Sequence, residues 1–563
     1  MKAVLNILIF ICLMFAMFRC ANQQGPSGGP PDKTPPQIME TYPKPRTTQF
    51  HDSKLSFSFS KYIQRRSLQE SFFISPSLGA LSFDWSGRDV EVSFSDSLKP
   101  NTTYIVTLGT DLVDRKGNRL VEAFSLPFST GDKLDSCSVA GVVLDEKPVG
   151  VMIFAYQLDR KNPDSLNPTH TEPDFLTQTG KDGTFLLSYL PYGTFRLIAV
   201  RDEFKNLLYD VQTDQYGTAP SDINLTREIP VVKGIQFKLT KEDTAKPFIS
   251  SAKFLDRRHI ILRLSEPVDT STAVVENVSV TDSVSKTSVN ISDLSFGLPP
   301  YNEAQLVTDS LTDGKIYIVQ LHGFKDLCGN VMSPPTDKTE FTAGATPDTI
   351  PPSLEIKYPS NAAHDVMPDD TIHLLFSEAI RTANFENGFV LKDSLAQKIS
   401  GVFHWFRSRE LFFIPHLPFK LGMAYTLTIR LDSLIDVSGN HGKDSTLIVK
   451  YSTVEDRSLS SISGTITDEV KDGKGKILIT ATNLSRKSAK PKTVQIDSIG
   501  VFIIDQLLEG RYTLSAYRDA DGDGRYTFGK PVPFNAAERF VNYPDTLKLR
   551  PRWPLEGVTL RLK

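Results

Sequence analysis

Long apolar runs and cysteine are both scarce in this sequence. After the first 20 residues, no stretch is apolar enough to cross a bilayer, which takes about 20 residues. Only four cysteines occur in 563 residues, and beyond the first 20 positions they are Cys137 and Cys328. Two isolated thiols form neither a disulfide framework nor a set of metal ligands. The folded part must therefore be stabilised by hydrophobic cores, and a chain this long predicts roughly three to five of them.

A strong excess of charge is also missing. The formal net charge is −3, from 63 basic and 66 acidic residues. Because nucleic-acid phosphates favour a basic face, this balance argues against a nucleic-acid partner. The sequence contains no His-Glu-x-x-His motif and no Gly-rich phosphate loop, and its nine histidines are scattered. We therefore predict no catalytic residues and no enzymatic activity.

The first 19 residues differ from the rest of the chain. An apolar run extends from Val4 to Phe18, which is the length of a signal-peptide core. The run ends at Cys20, and a cysteine directly after such a core indicates a lipoprotein signal whose thiol becomes acylated. Arg19 stands where this signal usually has a small residue, so an uncleaved anchor or a misplaced start site stays open. We predict a signal peptide over 1–19 and lipidation at Cys20.

Self-similarity is the dominant signal in the remaining sequence. One pattern, A, occurs three times: a Pro-rich opening, a strand ending in Ser and a charged residue, a turn before a strand tyrosine, and the loop Asp-x-x-Gly-Asn. Glycine and asparagine supply the positive φ of a tight turn, and the aspartate accepts backbone N–H bonds inside it. The three loops contain Asp114, Gly117 and Asn118; Asp326, Gly329 and Asn330; and Asp436, Gly439 and Asn440.

A second pattern, B, occurs twice, beginning at Val139-Ala-Gly141 and Ile462-Ser-Gly464. Strand signals recur every ~8–12 residues with turn residues between them, which is typical of β-sandwiches. We predict an all-β chain of tandem β-sandwich domains, with short helices around Ser67–Phe72 and Asn384–Phe389. The predicted organisation after the signal is a flexible tether (20–33), A1 (34–131), B1 (132–240), A2 (241–345), A3 (346–455) and B2 (456–563).

An acidic loop in B2 carries the strongest local motif. Asp519, Asp521 and Asp523 alternate, and the glycines between and after them permit a sharp turn. Hard oxygen ligands with this spacing begin a calcium loop, although Lys530 stands where such a loop has its bidentate glutamate. A closing ligand would come from elsewhere, for which Glu538 is the candidate. We predict structural Ca²⁺ here and no other cofactor; the alternative is a polar turn that shapes the backbone.

The A repeats resemble the S-layer-type bacterial Ig-like domain in their Thr-Pro-Pro opening, Phe-Ser-Glu/Lys strand end, Asp-x-x-Gly-Asn loop and Phe-Ser-Thr exit. A2 departs from this pattern at its opening and at Pro267. The B repeats resemble transthyretin-like or carboxypeptidase-regulatory-like sandwiches in their Gly-x-Phe and Leu-Pro-x-Gly-x-Tyr/Phe motifs. With the cysteine and the tether, the chain resembles Bacteroidetes lipoproteins. The resemblance implies architecture and location, and Ala21 after the cysteine implies sorting to the outer membrane, on either face.

These observations predict a non-enzymatic, lipid-anchored cell-envelope protein of the outer membrane. It would act as a multi-domain structural or interaction scaffold, held to the membrane by its N-terminal lipid and bound to an envelope protein or glycan. The alternative is a glycan- or peptide-binding module of an outer-membrane uptake or secretion system. That alternative predicts a solvent-exposed aromatic patch, for which Trp405 and Phe413 are the candidates.

Overall fold

A computed structural model describes residues 32–159, 162–443, 446–470, 473–486 and 489–562. The predicted signal peptide, Cys20 and all but the last two residues of the predicted tether lie outside these ranges. The regular secondary structure of the described residues is almost entirely β-strand, and these residues form two compact units. The first unit contains 32–209, 216–239 and 530–535, and the second contains 210–215, 240–529 and 536–562.

A1 is a sandwich of two antiparallel sheets with strand orders β1-β2-β5-β4 and β3-β6-β7. Alternation builds its core strand: in Lys54–Phe59, the residues Leu55, Phe57 and Phe59 are buried while the residues between them are not. The elements are β1 (Ile38–Tyr42), β2 (Lys54–Phe59), α1 (Arg65–Ser71), β3 (Phe72–Ser75), β4 (Leu81–Ser86), β5 (Asp89–Phe94), β6 (Thr103–Leu108) and β7 (Phe124–Ser129).

A2 and A3 repeat this architecture. Their sheets have the orders β17-β18-β22-β21 and β20-β19-β23-β24 in A2, and β25-β26-β29-β28 and β27-β30-β31 in A3. In A2 the strands are β17 (Ile249–Phe254), β18 (His259–Leu264), β19 (Val278–Asp282), β20 (Ser288–Val289), β21 (Ile291–Phe296), β22 (Glu303–Thr308), β23 (Ile316–Leu321) and β24 (Lys338–Thr342). In A3 the elements are β25 (Leu354–Tyr358), β26 (Ile372–Phe376), α2 (Thr382–Asn387), β27 (Phe389–Asp393), β28 (Gly401–Phe406), β29 (Glu410–Pro415), β30 (Ala424–Ile429) and β31 (Leu447–Ser452).

B1 and B2 share a different topology, in which the first strand pairs in parallel with a strand near the end of the repeat, β8 with β15 and β32 with β39. B1 contains β8 (Cys137–Leu144), β9 (Met152–Gln157), β10 (Phe175–Gln178), β11 (Thr184–Leu190), β12 (Gly193–Arg201), β13 (Gln215–Thr218), β14 (Ile223–Leu225), β15 (Val231–Lys238) and β16 (Thr240–Lys241). B2 contains β32 (Leu459–Asp468), β33 (Lys476–Asn483), β34 (Lys492–Ile496), β35 (Gly500–Leu508), β36 (Gly510–Asp519), β37 (Phe540–Asn542), β38 (Leu547–Leu549) and β39 (Leu555–Leu562). Single 3₁₀ turns occur at Pro163–Ser165, Val275–Asn277, Leu431–Ser433 and Asp456–Ser458.

The two short helices that the sequence predicts are present, each shifted by about two residues toward the N-terminus. They end at Ser71 and Asn387 because Phe72 and Phe389, which the prediction placed in the helices, begin strands β3 and β27. The phenylalanine side chains are buried in the sandwich cores. Burial of a large aromatic side chain therefore outweighs the local helical preference.

Buried apolar side chains form five separate clusters among the described residues, one in each predicted repeat. Each cluster lies between the two sheets of its sandwich, and the B1 cluster also includes Ile105 of A1. No helix in the described part of the chain has the length and apolar character that a membrane crossing requires. The fold is thus a series of all-β sandwiches, each with its own core.

The strand tyrosine of each A repeat anchors the turn that precedes it. The hydroxyl of Tyr104 accepts a hydrogen bond from the backbone N–H of Lys99, five residues upstream, at 2.8 Å. The equivalent bonds reach Tyr317 from Thr312 at 3.1 Å and Tyr425 from Lys420 at 2.8 Å. A buried tyrosine bonded back to the upstream backbone is a recurring corner in Ig-like sandwiches. This is the physical basis of the turn-then-tyrosine pattern in the sequence.

Candidate functional site

The acidic loop of B2 follows strand β36, whose last residue is Asp519. One carboxylate oxygen each of Asp519, Asp521 and Asp523 lies within 4.8 Å of the other two. Asp519 is buried, and its two oxygens accept the backbone N–H groups of Gly522 at 2.8 Å and Gly524 at 3.0 Å. These are the bonds of a tight polar turn, and the close approach of three carboxylates also suits a hard cation. The geometry is compatible with both roles that the sequence left open.

Glu538, the candidate closing ligand, lies beside this loop, and both of its carboxylate oxygens accept backbone N–H groups. Its Oε1 accepts the N–H of Ala520 at 2.6 Å and its Oε2 accepts the N–H of Thr527 at 3.1 Å. Burial raises the pKa of Glu538 above its usual value, although the two hydrogen bonds act in the opposite direction. The glutamate therefore fixes both ends of the acidic loop.

The three Asp-x-x-Gly-Asn loops have nearly the same internal hydrogen bonds. In A1, Asp114 Oδ1 accepts from the backbone N–H of Asn118 at 2.9 Å, and Asn118 Nδ2 donates to Asp114 Oδ2 at 2.8 Å. The corresponding distances are 2.8 and 2.7 Å in A2, and 2.8 Å for both bonds in A3. The glycines have φ angles of 85°, 91° and 95°, which is the left-handed region that glycine accepts readily. The aspartates at the head of these loops are Asp114, Asp326 and Asp436.

Each asparagine of these loops also binds the opening segment of its repeat. Asn118 Nδ2 donates to the backbone carbonyl oxygen of Asp32 at 3.0 Å, and Asn330 to that of Asp243 at 2.8 Å. In A3, Asn440 donates to the carbonyl oxygen of Asp348 at 3.4 Å. The loop therefore brings an opening aspartate next to the loop aspartate in all three repeats. Sequence reasoning did not single out these opening aspartates.

The charged residue at the end of the core strand lies at the same place. In A1 it is Lys61, whose Nζ lies 2.7 Å from Asp32 Oδ2 and 3.5 Å from Asp114 Oδ2. In A2 and A3 it is Glu266 and Glu378, and each belongs to a group of three carboxylates whose ligand atoms lie within 4.8 Å of one another. The aligned strand ends, Ser-Lys in one repeat and Ser-Glu in the others, were the signal that could have identified this position. We call the three clusters the opening trios: Asp32, Lys61 and Asp114; Asp243, Glu266 and Asp326; Asp348, Glu378 and Asp436.

The trio of A3 lies at the junction with A2, within one compact unit. His259, which begins strand β18 of A2, pairs through Nδ1 with Asp256 at 2.9 Å, and the same nitrogen lies 3.9 Å from Asp348 Oδ2. Burial opposes protonation of His259, but Asp256 outweighs it and the pKa of the imidazole is raised. The arrangement places four carboxylates and one histidine in a single buried cluster.

The candidate aromatic patch of A3 faces mainly inward. Phe413 is buried in the A3 core, and Trp405 packs partly buried against the same core. The Trp405 indole donates to Glu386 Oε1 at 2.8 Å and stacks on Phe376. Because a sugar-stacking surface needs exposed aromatic faces, these positions do not support the glycan-binding alternative.

A shallow, open cleft of about 680 Å³ lies within the first compact unit, between A1 and B1. Its edge is formed by Arg46, whose Nε donates to the Tyr189 hydroxyl at 2.8 Å. The remaining lining is mostly polar and comes from Thr48 of A1, from Ser138 and Ser188 of B1, and from the segment that joins the two repeats: Asp132, Lys133, Leu134, Asp135 and Ser136. The mouth is wide, so the cleft offers little desolvation to a small ligand.

Comparison with known proteins gives one family match. Residues 32–130 and 348–453 match the family described as Bacterial Ig-like domain, and these ranges correspond to A1 and A3. No curated protein matches the chain.

Solved structures similar to this chain include two of the S-layer protein SbsC. The N-terminal part of SbsC has 20% identity and a TM-score of 0.17, covering 37% of this chain and 44% of that one. SbsC domains 1–6 have 10% identity and a TM-score of 0.17, and the match covers 93% of this chain and 68% of the SbsC chain. L,D-transpeptidase 3 from Mycobacterium tuberculosis has 14% identity and a TM-score of 0.14, and the match covers 21% of this chain and 40% of the transpeptidase chain. This chain thus spans less than half the length of the first and third of these proteins.

Proposed function

We propose that this protein is a non-enzymatic, lipid-anchored scaffold of the bacterial cell envelope. The supporting observation is that the described residues form five separate β-sandwich cores, of which A1 and A3 match bacterial Ig-like domains. Such modules are rigid and expose loops at their ends, where binding groups can be presented to a partner. The partner in this proposal is an envelope protein or glycan.

The location belongs to the same proposal. Acylation of Cys20 anchors the chain, the tether at 20–33 separates the sandwiches from the lipid surface, and Ala21 favours the outer membrane of a Bacteroidetes-type cell. A multiply acylated cysteine holds a protein firmly, whereas one acyl chain binds weakly. B1 and B2 are transthyretin-like sandwiches in this proposal, supported by the parallel strand pair that they share. Calcium at Asp519, Asp521 and Asp523 would stiffen the B2 loop.

The anchor is tested by metabolic labelling with an alkyne fatty acid, followed by membrane fractionation. The wild-type protein should carry label and sediment with the outer membrane, and Cys20→Ala should lose both properties. Cys12→Ala, which changes a cysteine inside the predicted signal, is the matched control and should keep them. Equal labelling of Cys20→Ala and wild type would refute the lipid anchor.

The scaffold role is tested by crosslinking in intact cells followed by mass spectrometry of what is captured. A defined envelope protein or glycan should be recovered with the wild-type protein and lost with Cys20→Ala, because the unanchored chain is displaced from its partner. Recovery of no specific partner from cells that hold the correctly anchored protein would contradict this role.

A further inference from the structure

The three opening trios place a charged side chain between two aspartates, and A1 shows what that position accommodates. There Lys61 Nζ contacts Asp32 Oδ2, Asp114 Oδ2 and the backbone carbonyl of Thr34, the last at 2.6 Å. A cation bonded to oxygens on several sides is the arrangement of a coordinated ion, achieved here by an ammonium group. In A1, therefore, the chain supplies its own cation.

In A3 the lysine is replaced by Glu378, and the remaining geometry is kept. Asp348 Oδ1 accepts the N–H of Ile350 at 3.2 Å, as Asp32 Oδ1 accepts that of Thr34 at 3.0 Å. The place filled by an ammonium group in A1 is thus bordered in A3 by three carboxylates within 4.8 Å of one another.

One carboxylate oxygen of this cluster lacks a hydrogen-bond donor. Asp348 Oδ2 is buried without a hydrogen bond, and the Asp348 side chain is only 6% exposed. In A1 the equivalent atom, Asp32 Oδ2, is the one that binds Lys61 at 2.7 Å. Burying a carboxylate oxygen without a hydrogen-bond donor costs free energy, and a cation bound at this point would offset that cost.

The basic side chain of this cluster, His259, is already paired with another carboxylate. Its Nδ1 lies 2.9 Å from Asp256 Oδ2 and 3.9 Å from Asp348 Oδ2. The imidazole therefore gives Asp348 Oδ2 no hydrogen bond.

We propose that A3 binds a calcium ion through Asp348, Glu378 and Asp436, at its junction with A2. The donor set is three carboxylates, which suits Ca²⁺, whereas Mg²⁺ usually binds through one or two carboxylates and keeps several waters, and Zn²⁺ prefers nitrogen and sulfur ligands. Asp436 is already oriented by hydrogen bonds from Asn440 and Gly439, so one ligand is pre-positioned. The ion does in A3 what Lys61 does in A1.

The proposal does not extend to the trio of A2. There Asp243 is exposed to solvent, and none of the carboxylates of Asp243, Glu266 and Asp326 has a buried oxygen without a partner. Water can therefore solvate that trio, whereas it does not reach Asp348 Oδ2.

Calcium at this point stabilises the junction between two repeats. Asp348 lies in the segment that joins A2 to A3, and His259 of A2 approaches the same carboxylate. Direct contacts already cross this junction: the N–H of Arg257 donates to the carbonyl of Thr346 at 3.0 Å, and the Arg407 guanidinium donates to the carbonyl of Ala273 at 2.6 Å. Binding of the ion holds the joining segment in place and so limits movement of A3 against A2.

The test is calcium binding by the full chain, purified in detergent, stripped with EDTA and titrated with CaCl₂ up to ~5 mM, since calcium modules outside the cytosol bind at ~10⁻⁴–10⁻³ M. Glu378→Lys reproduces the A1 trio and should bind one Ca²⁺ fewer per chain than the wild type. It should also lose the rise in Tm of A3 that calcium produces in the wild-type protein. Asp521→Asn reports on the B2 loop, and its effect on bound calcium should add to that of Glu378→Lys.

A second pair of variants keeps the test informative if Glu378→Lys fails to fold. Glu378→Gln removes a negative charge with little change in shape and should weaken calcium binding at A3 at least tenfold. Lys61→Glu in A1 is the matched control: it gives A1 the same three carboxylates, but the Asp32 side chain is 34% exposed, so the variant should bind no additional calcium. The proposal is overturned if the folded Glu378 variants bind as much calcium as the wild type, or if the wild type binds none at A3. Neither result depends on lipidation at Cys20.

Discussion

At the scale of single residues, two stacked tyrosines of A3 differ in one hydrogen bond. Tyr425 and Tyr451 are both buried, with ring centroids 5.6 Å apart. The Tyr425 hydroxyl accepts the N–H of Lys420, whereas the buried Tyr451 hydroxyl has no hydrogen-bond partner. Removing the hydroxyl at each of the two positions therefore measures how much the hydrogen bond of Tyr425 contributes to stability, because both rings stay buried.

We expect Tyr425→Phe to lower the free energy of unfolding of A3 by about 1–2 kcal/mol, because the Lys420 N–H loses its acceptor. Tyr451→Phe is the matched control and should leave stability unchanged or raise it slightly, since it removes an unsatisfied polar atom and keeps the ring. Urea unfolding monitored by fluorescence measures both variants. Equal losses in the two variants would contradict the assignment of the corner hydrogen bond.

At the scale of elements, the parallel strand pair of each B repeat depends on a glycine in its first strand. A Cβ at Gly464 would lie 1.9 Å from the carbonyl oxygen of Val558, and one at Gly141 would lie 2.1 Å from that of Ile235. The pairing shifts register beside both contacts. This close approach explains why both B repeats carry glycine at the same place in their opening motif.

Gly464→Ala should therefore disrupt the pairing of β32 with β39 and lower the free energy of unfolding of B2 by about 2 kcal/mol or more. Thr465→Ala, at an exposed neighbouring position on the same strand, is the control and should cost less than about 1 kcal/mol. Thermal unfolding followed by circular dichroism compares them. If Gly464→Ala were as stable as Thr465→Ala, the stability of B2 would not depend on the close pairing of β32 with β39 at this glycine.

At the scale of the whole molecule, each repeat has its own core, and B2 contains a buried ion-pair cluster that makes its stability depend on pH. In B2, the side chain of Asp468 is 1% exposed and pairs with Arg518 at 2.8 Å and with Arg539. Burial alone would raise the pKa of Asp468, but bonds from the Val470 N–H and the two guanidinium groups outweigh it and hold the pKa below its usual value. A lowered pKa stabilises the fold above the ordinary pKa of aspartate, and this stability is lost as the pH falls below about 4.

Calorimetry should show more than one unfolding transition, because the cores are separate. Lowering the pH from 6 to about 2.5 should lower the Tm of the B2 transition, because Asp468 takes up a proton in the unfolded chain at a higher pH than in the folded one. Asp468→Asn should destabilise B2 by about 3 kcal/mol at pH 6, since it leaves two buried guanidinium groups unpaired, and should flatten the pH dependence of that transition. Asp497→Asn, at an exposed position, is the control. If the Tm of the B2 transition in Asp468→Asn depended on pH as it does in the wild type, a group other than Asp468 would be responsible for the loss of stability in acid.

Much of this architecture is readable in the sequence because it is encoded locally. The alternation of Leu55, Phe57 and Phe59 predicts a half-buried strand, and Gly117 predicts the turn it occupies. Repetition of such signals in the same order identifies the A and B repeats and the all-β fold. The acidic loop at Asp519 was also recognisable, since its three aspartates are neighbours in the chain.

The opening trio of A3 was not recognisable from spacing. Glu378 lies far along the chain from Asp348 and Asp436, and only the packing of the joining segment, the core strand and the loop brings their oxygens together. The burial that leaves Asp348 Oδ2 without a donor is likewise a property of packing. Carboxylates are abundant in any chain with 66 acidic residues, so sequence alone cannot select the ones that share a site.

The sequence by itself therefore determined the order of the repeats, the strand pattern and the turns, because these depend on neighbouring residues and on a period of two. Only the tertiary structure decided which charges share one place: Lys61 between two aspartates in A1, and Glu378 between two aspartates in A3. The physical reason is that Coulomb interactions and desolvation depend on separation in space and on burial, and folding sets both across long stretches of chain.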